Sequence, residues 1–277
     1  MPRCFVGPLE IEYNVVGPAG GDVVVLSTGF GDQLTMWPLS LQGALSAAGL
    51  RVVSFDTRDA GLSSDSQGYS LDDLADDLLS IAAEVGTAAA CVNILGYSMG
   101  GQIAMRAALR APERVESLAL LFSTSGAPEL SSPSPAAIAA SLSVCERSSR
   151  QDAIKRRIEL MRVTNGPSFR FSDDSASMIA AADYDRAYRP EGVARHLSAM
   201  VHSYPIHDRI ESLRCRSLIF QASHDCFFGQ DHGDDLAKRL SGEFRLIDGA
   251  GHNLTEELGA LLAHSLVPFF TKHQMDE

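Results

Sequence analysis

Residues 91–101 read CVNILGYSMGG, an apolar run that leads into the pattern G-x-S-x-G. The run predicts a buried strand, and residues 102–110 predict a helix directly after it. A strand and a helix joined this closely leave no room for side chains beside the turn, so we expect Gly96 and Gly100 to permit the close approach. Ser98 then stands at the apex with its hydroxyl exposed, which is the arrangement of a nucleophile elbow.

Short apolar segments alternate with longer helical segments before and after this turn. Besides the run before Gly96, the predicted strands are residues 11–16, 23–26, 51–55, 115–122, 217–222 and 244–247. The predicted helices are residues 38–48, 70–84, 102–110, 231–240 and 256–270. Ser70 is expected to cap the second helix, because acidic residues follow it in the first turn. The alternation predicts an α/β fold with a doubly wound, mostly parallel sheet.

The stretch between residues 123 and 216 lacks this strand pattern. It opens with a loop rich in Ser and Pro, and four predicted helices follow at residues 136–144, 152–163, 174–184 and 190–204. Because strands resume after the stretch, we predict a helical cap inserted into one domain rather than an independent domain. The predicted core comprises residues 1–125 and 206–277, and the predicted cap (lid) comprises residues 126–205.

Composition narrows the class of protein. The chain has 277 residues, of which 45% are hydrophobic, and a formal net charge of −12 at pH 7. Such a length suits one large domain with an insertion. An acidic surface repels nucleic acid and anionic lipid, so we expect neither as a partner. The five cysteines show no metal-ligand spacing, so no metal site is expected. The sequence shows neither a secretory leader nor an apolar run long enough to span a bilayer, which predicts a cytoplasmic protein.

A serine hydroxyl is a weak nucleophile until an oriented base takes its proton. In chains with this elbow the order is Ser, then an acid, then His. Residues 249–253 read GAGHN and follow the last predicted strand, where a flexible turn reaches the same edge of the sheet as the elbow. His252 is therefore the predicted base, since the other histidines lack that setting.

The acid is expected just after the preceding strand, where residues 222–226 read ASHDC. This position favours Asp225, although three aspartates near the start of the next helix stay open as alternatives: Asp231, Asp234 and Asp235. The segment after the strand that follows the elbow helix reads STS at 123–125 and offers no carboxylate, which strengthens the case for Asp225. The predicted catalytic residues are Ser98, Asp225 and His252.

Attack on a carbonyl creates an oxyanion, which preorganised donors stabilise by roughly 3 kcal/mol each. One donor is expected to be the backbone N–H of Met99, at the start of the helix after Ser98. The other should come from residues 27–32, STGFGD, which we call the oxyanion loop. Its glycines let the backbone approach a ligand, and the N–H of Phe30 is the predicted donor.

These features resemble the α/β-hydrolase fold family over almost the whole chain. Residues 56–63 read DTRDAGLS, similar to the family's D-x-R-G-x-G-x-S loop with Asp59 in place of the usual Gly. This variant, the pair Trp37-Pro38 and the segment 218–225 that ends in His-Asp resemble aclacinomycin methylesterase and related polyketide-tailoring esterases. The resemblance implies hydrolysis of a carboxylic ester on a bulky polycyclic or otherwise apolar molecule.

Three residues near the predicted triad are candidates for the substrate pocket. Tyr97 flanks the nucleophile and Cys226 follows the acid, so both are expected beside the substrate. Trp37, the single tryptophan, follows the oxyanion loop and either walls the acyl pocket or packs in the core.

The predicted function is cleavage of a carboxylic ester through an acyl-enzyme, with a methyl ester among the candidates and with no need for a cofactor. The same triad serves two alternative kinds of enzyme, a lactonase or thioesterase-cyclase and a hydrolase of carbon–carbon bonds. The alternative that is not an enzyme is a ligand receptor, which would keep the fold without catalysing a reaction. The expected partner is a small-molecule ester, and a homodimer stays open.

Overall fold

The computed structural model describes residues 2–86, 91–145 and 147–271. The strands in these ranges are β1 (Arg3–Val6), β2 (Leu9–Val16), β3 (Val23–Ser27), β4 (Arg51–Phe55), β5 (Val92–Tyr97), β6 (Val115–Leu121), β7 (Arg216–Ala222) and β8 (Glu243–Ile247). The helices are α1 (Leu39–Ala47), α2 (Leu71–Val85), α3 (Met99–Arg110), α4 (Pro135–Ser143), α5 (Arg150–Thr164), α6 (Asp173–Arg186), α7 (Pro190–His202), α8 (Gln230–Leu240) and α9 (Glu256–Thr271).

The strands form one sheet in the order β1-β2-β4-β3-β5-β6-β7-β8. β1 and β2 pair antiparallel with their neighbours, whereas every other pairing is parallel. The central strands β3 and β5 are fully buried, because helices cover both faces of the sheet. The predicted α/β fold with a doubly wound, mostly parallel sheet is confirmed.

Two apolar layers hold the helices against the sheet. On one face, Leu78 of α2, Ile103 of α3 and Leu236 of α8 belong to one continuous buried cluster. On the other face, Leu41 of α1 and Leu262 of α9 belong to a second cluster. The carboxyl ends of the parallel strands therefore meet at one edge of a rigid sheet, where loops can carry functional side chains.

The sequence predicted the start of α2 correctly but did not predict strand β1. Ser70 caps α2 as predicted: its hydroxyl accepts from the backbone N–H of Asp73, and the Asp73 carboxylate accepts from the Ser70 N–H at 2.8 Å. The edge strand β1 was not predicted. It is only four residues long and joins β2 through a tight turn in which Gly7 has a φ of +58°.

The segment of the predicted cap contains helices joined by loops, with no strand in its described residues, 126–145 and 147–205. The four helices α4 to α7 lie between β6 and β7 and fall within residues 126–205, each within a few residues of its predicted bounds. The division into core and cap stays a prediction, and the predicted core includes residues 1, 87–90 and 272–277, which lie outside the described residues. Across the ranges that the structure describes, none of the helices combines the length and apolarity that a bilayer span requires.

Candidate active site

The turn between β5 and α3 holds Ser98 in a strained backbone conformation. Its φ of +54° and ψ of −119° are rare for a residue with a side chain, and such strain concentrates at functional sites. A Cβ on Gly96 would lie 2.5 Å from the carbonyl oxygen of Gly100, and a Cβ on Gly100 would lie 2.0 Å from that of Ser27. Both glycines are therefore required for the close approach of strand and helix, as the sequence predicted.

The structure brings Ser98, His252 and Asp225 together, although they lie on three separate loops. The Nε2 atom of His252 is 3.0 Å from Ser98 Oγ, and its Nδ1 atom is 2.8 Å from Asp225 Oδ2. The Asp225 side chain is fully buried, and its Oδ1 atom accepts from the backbone N–H groups of Phe227 and Phe228. This network holds a carboxylate on one side of the imidazole and a hydroxyl on the other.

The three alternative aspartates point to other partners. Asp231 accepts from Ser131, and Asp235 accepts from Arg239 within helix α8 at 2.8 Å. Asp234 is exposed on the same helix. The geometry thus singles out Asp225 as the carboxylate beside His252.

Aromatic rings enclose the imidazole of His252. Its ring centroid lies 5.2 Å from that of Tyr97, 4.8 Å from Phe227 and 5.6 Å from Phe228. The Tyr97 hydroxyl also donates a hydrogen bond to the backbone carbonyl of His252. Burial raises the pKa of Tyr97 well above its usual range, and the nearby carboxylate of Asp32 raises it further, so the hydroxyl stays a neutral donor.

Of the two predicted oxyanion donors, Phe30 precedes Ser98 in the sequence and Met99 directly follows it. Phe30 follows β3 in the oxyanion loop, and Met99 is the first residue of α3. Within the part of the chain that the structure describes, the backbone N–H groups of Phe30 and Met99 have no hydrogen-bond acceptor in the protein. They are therefore free to donate to a ligand.

A large cavity opens beside these residues, between the core and helices α4 to α7. Its volume is about 1010 Å³, and Ser98 and His252 both line it. The core contributes aromatic rings to its wall, and the helices contribute mainly aliphatic side chains. The principal apolar lining residues are Phe30, Trp37, Ile138, Leu142, Leu160, Met161, Phe171, Ile179, Leu197, Met200, Phe227 and Phe228.

Two of the three predicted pocket residues line the cavity, and the third does not. Tyr97 and Trp37 line the cavity, and Trp37 also packs in the core, with only 2% of its surface exposed. Cys226 does not line the cavity; it is Phe227 and Phe228, the next two residues, that do. Two adjacent phenylalanines in a loop after a strand are a signal for a binding wall that the sequence reasoning overlooked.

A partly buried ion-pair cluster in the cavity wall was also missed. Arg157 of α5 lies 2.7 Å from the carboxylate of Asp32, in the oxyanion loop, and 3.6 Å from that of Asp183 on α6. Burial raises the pKa of Asp183, although the Arg157 guanidinium opposes this shift. No local pattern marks such a cluster, because its members are more than a hundred residues apart or on different helices.

The described residues also bear on metal chemistry. Among residues 2–86, 91–145 and 147–271, no three or more His, Cys, Asp or Glu side chains are grouped so as to hold a metal ion. The site offers a hydroxyl and an imidazole at the cavity, a carboxylate behind the imidazole, and two backbone N–H groups that have no partner among the described residues. This set of groups suits nucleophilic attack on a carbonyl.

Comparisons with known proteins find hydrolase-named relatives. A candidate carbamate hydrolase, RutD, of Variovorax paradoxus is 27% identical over 270 residues, which cover 95% of this chain and 97% of the relative. Rhodomycin D methylesterase DauP of a Streptomyces species is 26% identical over 245 residues, which cover 79% of this chain and 80% of the relative. The crystal structure of the enol-lactonase from Burkholderia xenovorans matches the fold with a TM-score of 0.80 at 21% identity, covering 98% of this chain and 100% of that one.

The family model of the alpha/beta hydrolase fold matches residues 22–257. This range includes the elbow, the helices between β6 and β7, and the loops that carry Asp225 and His252. The resemblance drawn from the sequence is thereby confirmed, and its hydrolase-named relatives support a hydrolase. The chain belongs to the α/β-hydrolase fold family.

Proposed function

We propose that this chain is a serine hydrolase that cleaves a carboxylic ester of a bulky apolar, polyketide-like small molecule through an acyl-enzyme. The observation that carries the proposal is the continuous hydrogen-bonded series from Asp225 through His252 to Ser98, with spacings of 2.8 and 3.0 Å, at the wall of a large cavity. In this proposal Ser98 is the nucleophile, His252 is the general base, and Asp225 is the carboxylate that orients the imidazole.

The first step uses the proton between Ser98 and His252. Because the Asp225 carboxylate can only accept, the Nδ1 atom of His252 carries a proton and Nε2 presents its lone pair to the serine hydroxyl. As Ser98 Oγ attacks the ester carbonyl, Nε2 takes the hydroxyl proton. The buried carboxylate then lies beside an imidazolium ion and stabilises it.

The carbonyl oxygen becomes an anion during this attack. The backbone N–H groups of Phe30 and Met99 are the proposed donors to it, since neither has a partner among the described residues. Each such donor stabilises the transition state by roughly 3 kcal/mol, because it is already oriented before the charge develops.

Collapse of the tetrahedral intermediate breaks the bond to the alcohol. The proton held on His252 Nε2 passes to the leaving alkoxide, and an acyl-enzyme remains on Ser98. Water then enters, gives its proton to the same nitrogen and attacks the acyl carbonyl. Collapse of this second intermediate breaks the bond between the acyl carbon and Ser98 Oγ, and the proton on His252 Nε2 returns to that oxygen. The products are a carboxylic acid and an alcohol, and both the serine and the imidazole are back in their starting states.

The cavity supports a large apolar substrate. Its volume of about 1010 Å³ lies at the upper end of the range of about 300–1,000 Å³ for small-molecule sites. The lining is mostly aromatic and aliphatic, which favours a fused-ring or long apolar body. The similarity to rhodomycin D methylesterase DauP supports a methyl ester as the scissile group. We also propose a cytoplasmic location, where Cys4, Cys91, Cys215 and Cys226 would stay reduced as the free thiols they are in the structure.

A fluorophosphonate probe tests the nucleophile directly. We expect one equivalent of probe per chain on the unmodified protein and no labelling of the Ser98→Ala variant. His252→Ala should lower turnover by orders of magnitude while the circular dichroism spectrum stays unchanged. A folded protein that takes up no probe would refute the proposal and favour a ligand receptor.

A substrate panel separates the ester reaction from other uses of the same residues. We expect turnover of methyl and aryl esters with apolar acyl groups, measured by acid release at constant pH. Lactones and a vinylogous β-diketone serve as the comparison substrates. Turnover of the diketone alone would show that the enzyme hydrolyses carbon–carbon bonds instead.

A further inference from the structure

The residues that follow Phe30 are each bonded to a different cap helix. The Gly31 N–H donates to Nδ1 of His196 on α7 at 3.3 Å. Asp32 accepts from Arg157 of α5 at 2.7 Å. The Gln33 amide donates to a backbone carbonyl of α6 at 2.8 Å. Three consecutive residues of the core are therefore held by three separate helices of the cap.

His196 occupies the most constrained position among these contacts. It is fully buried, and its Nε2 atom lies 2.8 Å from the carbonyl oxygen of Arg58. A carbonyl only accepts, so Nε2 carries the proton; the Gly31 N–H only donates, so Nδ1 accepts. Burial lowers the pKa of His196, which agrees with the neutral form that this pair of bonds requires.

Close packing surrounds the same contact. A Cβ on Gly31, whose φ is +70°, would lie 3.0 Å from Cγ1 of Val193, one turn before His196 on α7. A Cβ on Gly192 would lie 2.0 Å from the backbone oxygen of Asp59. Helix α7 therefore rests on two core loops with no space between them, and a shift of the helix must displace the backbone next to Phe30.

We propose that His196 is a positioning residue for the oxyanion hole: it holds the backbone beside Phe30, so that the hole is complete only while helix α7 is seated on the core. The inference rests on the proposed function, because it takes the Phe30 N–H as a donor to the oxyanion. His196 does not line the cavity, so it acts through Gly31 and not on the substrate. Its loss should weaken binding of the transition state more than binding of the ester.

Two substitutions at this position separate the bond to Gly31, made by Nδ1, from the contacts of Nε2 with the Arg58 carbonyl at 2.8 Å and the Thr57 hydroxyl at 3.5 Å. In His196→Asn, the side-chain oxygen reaches the place of Nδ1 and keeps an acceptor for the Gly31 N–H. In His196→Gln, the amide reaches the place of Nε2 and keeps the donor to the Arg58 carbonyl, but the acceptor for Gly31 is lost. His196→Gln loses the bond to Gly31, and His196→Asn loses the bond to Arg58 together with the long contact to Thr57, so His196→Gln should melt no lower than His196→Asn. His202→Gln, on the exposed side of the same helix, is the control.

The measurements are the acylation rate constant and the dissociation constant of p-nitrophenyl acetate from the pre-steady-state burst, and the inhibition constant of phenylboronic acid. A boronate bound to Ser98 imitates the tetrahedral intermediate and uses the oxyanion hole. For His196→Gln we expect acylation slower by about tenfold or more, boronate binding weaker by a similar factor and ester binding within about twofold. His196→Asn and His202→Gln should stay within about threefold of the unmodified enzyme.

Equal acylation rates and boronate affinities in His196→Gln and His202→Gln would overturn the proposal, as would a loss confined to ester binding. If His196→Gln does not fold, Gln33→Met tests the same idea by cutting the bonds to α6, and the same pattern of effects is expected. The proposed function is judged separately, on the unmodified protein. If it shows neither a burst nor labelling, the hydrolase proposal fails, whereas a normal burst with unaffected variants refutes only the role of His196.

Discussion

The Asp225→Asn substitution tests whether the carboxylate of Asp225 orients the imidazole of His252. Four donors converge on this carboxylate. Its Oδ1 atom accepts from the backbone N–H groups of Phe227 and Phe228 at 2.8 and 3.0 Å. Its Oδ2 atom faces Gln221 Nε2 at 3.2 Å and His252 Nδ1 at 2.8 Å. An amide has only one oxygen, so it cannot satisfy both sides.

The surroundings decide which way the new amide turns. Placing its NH2 group against the N–H groups of Phe227 and Phe228 would lose two hydrogen bonds to rigid backbone, so the oxygen stays on that side. The NH2 group then faces His252 and donates to Nδ1. The imidazole proton must move to Nε2, where it points at Ser98 and can no longer accept the hydroxyl proton.

The expected loss follows from this change of tautomer. We expect kcat for p-nitrophenyl acetate at pH 8 to fall by about 10⁴-fold, equivalent to about 5.5 kcal/mol. Affinity for phenylboronic acid should also fall. The protein should still fold because the shape is kept, with a lower melting temperature because the new NH2 group faces the Gln221 amide donor. Asp234→Asn, at an exposed position of α8, is the matched control and should retain full activity. A kcat within tenfold of the unmodified enzyme would refute the role assigned to Asp225.

Three predictions concern stability. Gly100→Ala should destabilise the protein by more than about 3 kcal/mol in urea unfolding, because its Cβ would lie 2.0 Å from the Ser27 carbonyl oxygen. Gly43→Ala, on α1 with no atom within 4 Å of the new Cβ, should stabilise it by about 0.5–1 kcal/mol, and a loss there would contradict the reasoning. The Glu256 carboxylate caps α1 by accepting from its first backbone N–H groups at 2.8 and 2.9 Å. Burial alone would raise its pKa, but these bonds lower it overall, so its contribution is present above the unfolded pKa near 4.5 and is lost as the pH falls through the folded value. Glu256→Gln should therefore cost about 0.5–1 kcal/mol at pH 7, and a difference that does not shrink toward pH 3 would contradict this account.

The elbow and its partners were predictable because their signals are local. Gly96 and Gly100 mark a strand and helix in close contact, and each is required by a short distance in the folded chain. The loops that carry Asp225 and His252 follow strands β7 and β8, and parallel strands end at one edge of the sheet. Chain order and topology together were enough to bring three distant residues to one point.

The cavity wall was less accessible to the same reasoning. The bounds of the cap helices followed from composition and breakers such as Pro190 at the start of α7. Which side chains these helices direct at the core depends on how they dock, and periodicity does not contain that information. Cys226 was chosen because it follows Asp225, yet the bonds from Phe227 and Phe228 to that carboxylate turn the loop so that the phenylalanines line the cavity.

Ion pairs between the core loops and helices α5, α6 and α7 hold these helices in place instead. Three aspartates in the loops after β3 and β4 each bind an arginine of a different cap helix. The pairs are Asp32–Arg157 on α5, Asp56–Arg186 on α6 and Asp59–Arg195 on α7. A buried carboxylate that loses its partner destabilises the folded protein by about 3–5 kcal/mol. Each pair therefore disfavours any other placement of its helix. Two of these pairs lie next to the contacts of His196. Asp32 follows Gly31 in the loop after β3, and Asp59 follows Arg58 in the loop after β4. The ion pairs that hold helices α5 and α7 on the core therefore also hold the backbone beside Phe30, which we propose binds the oxyanion.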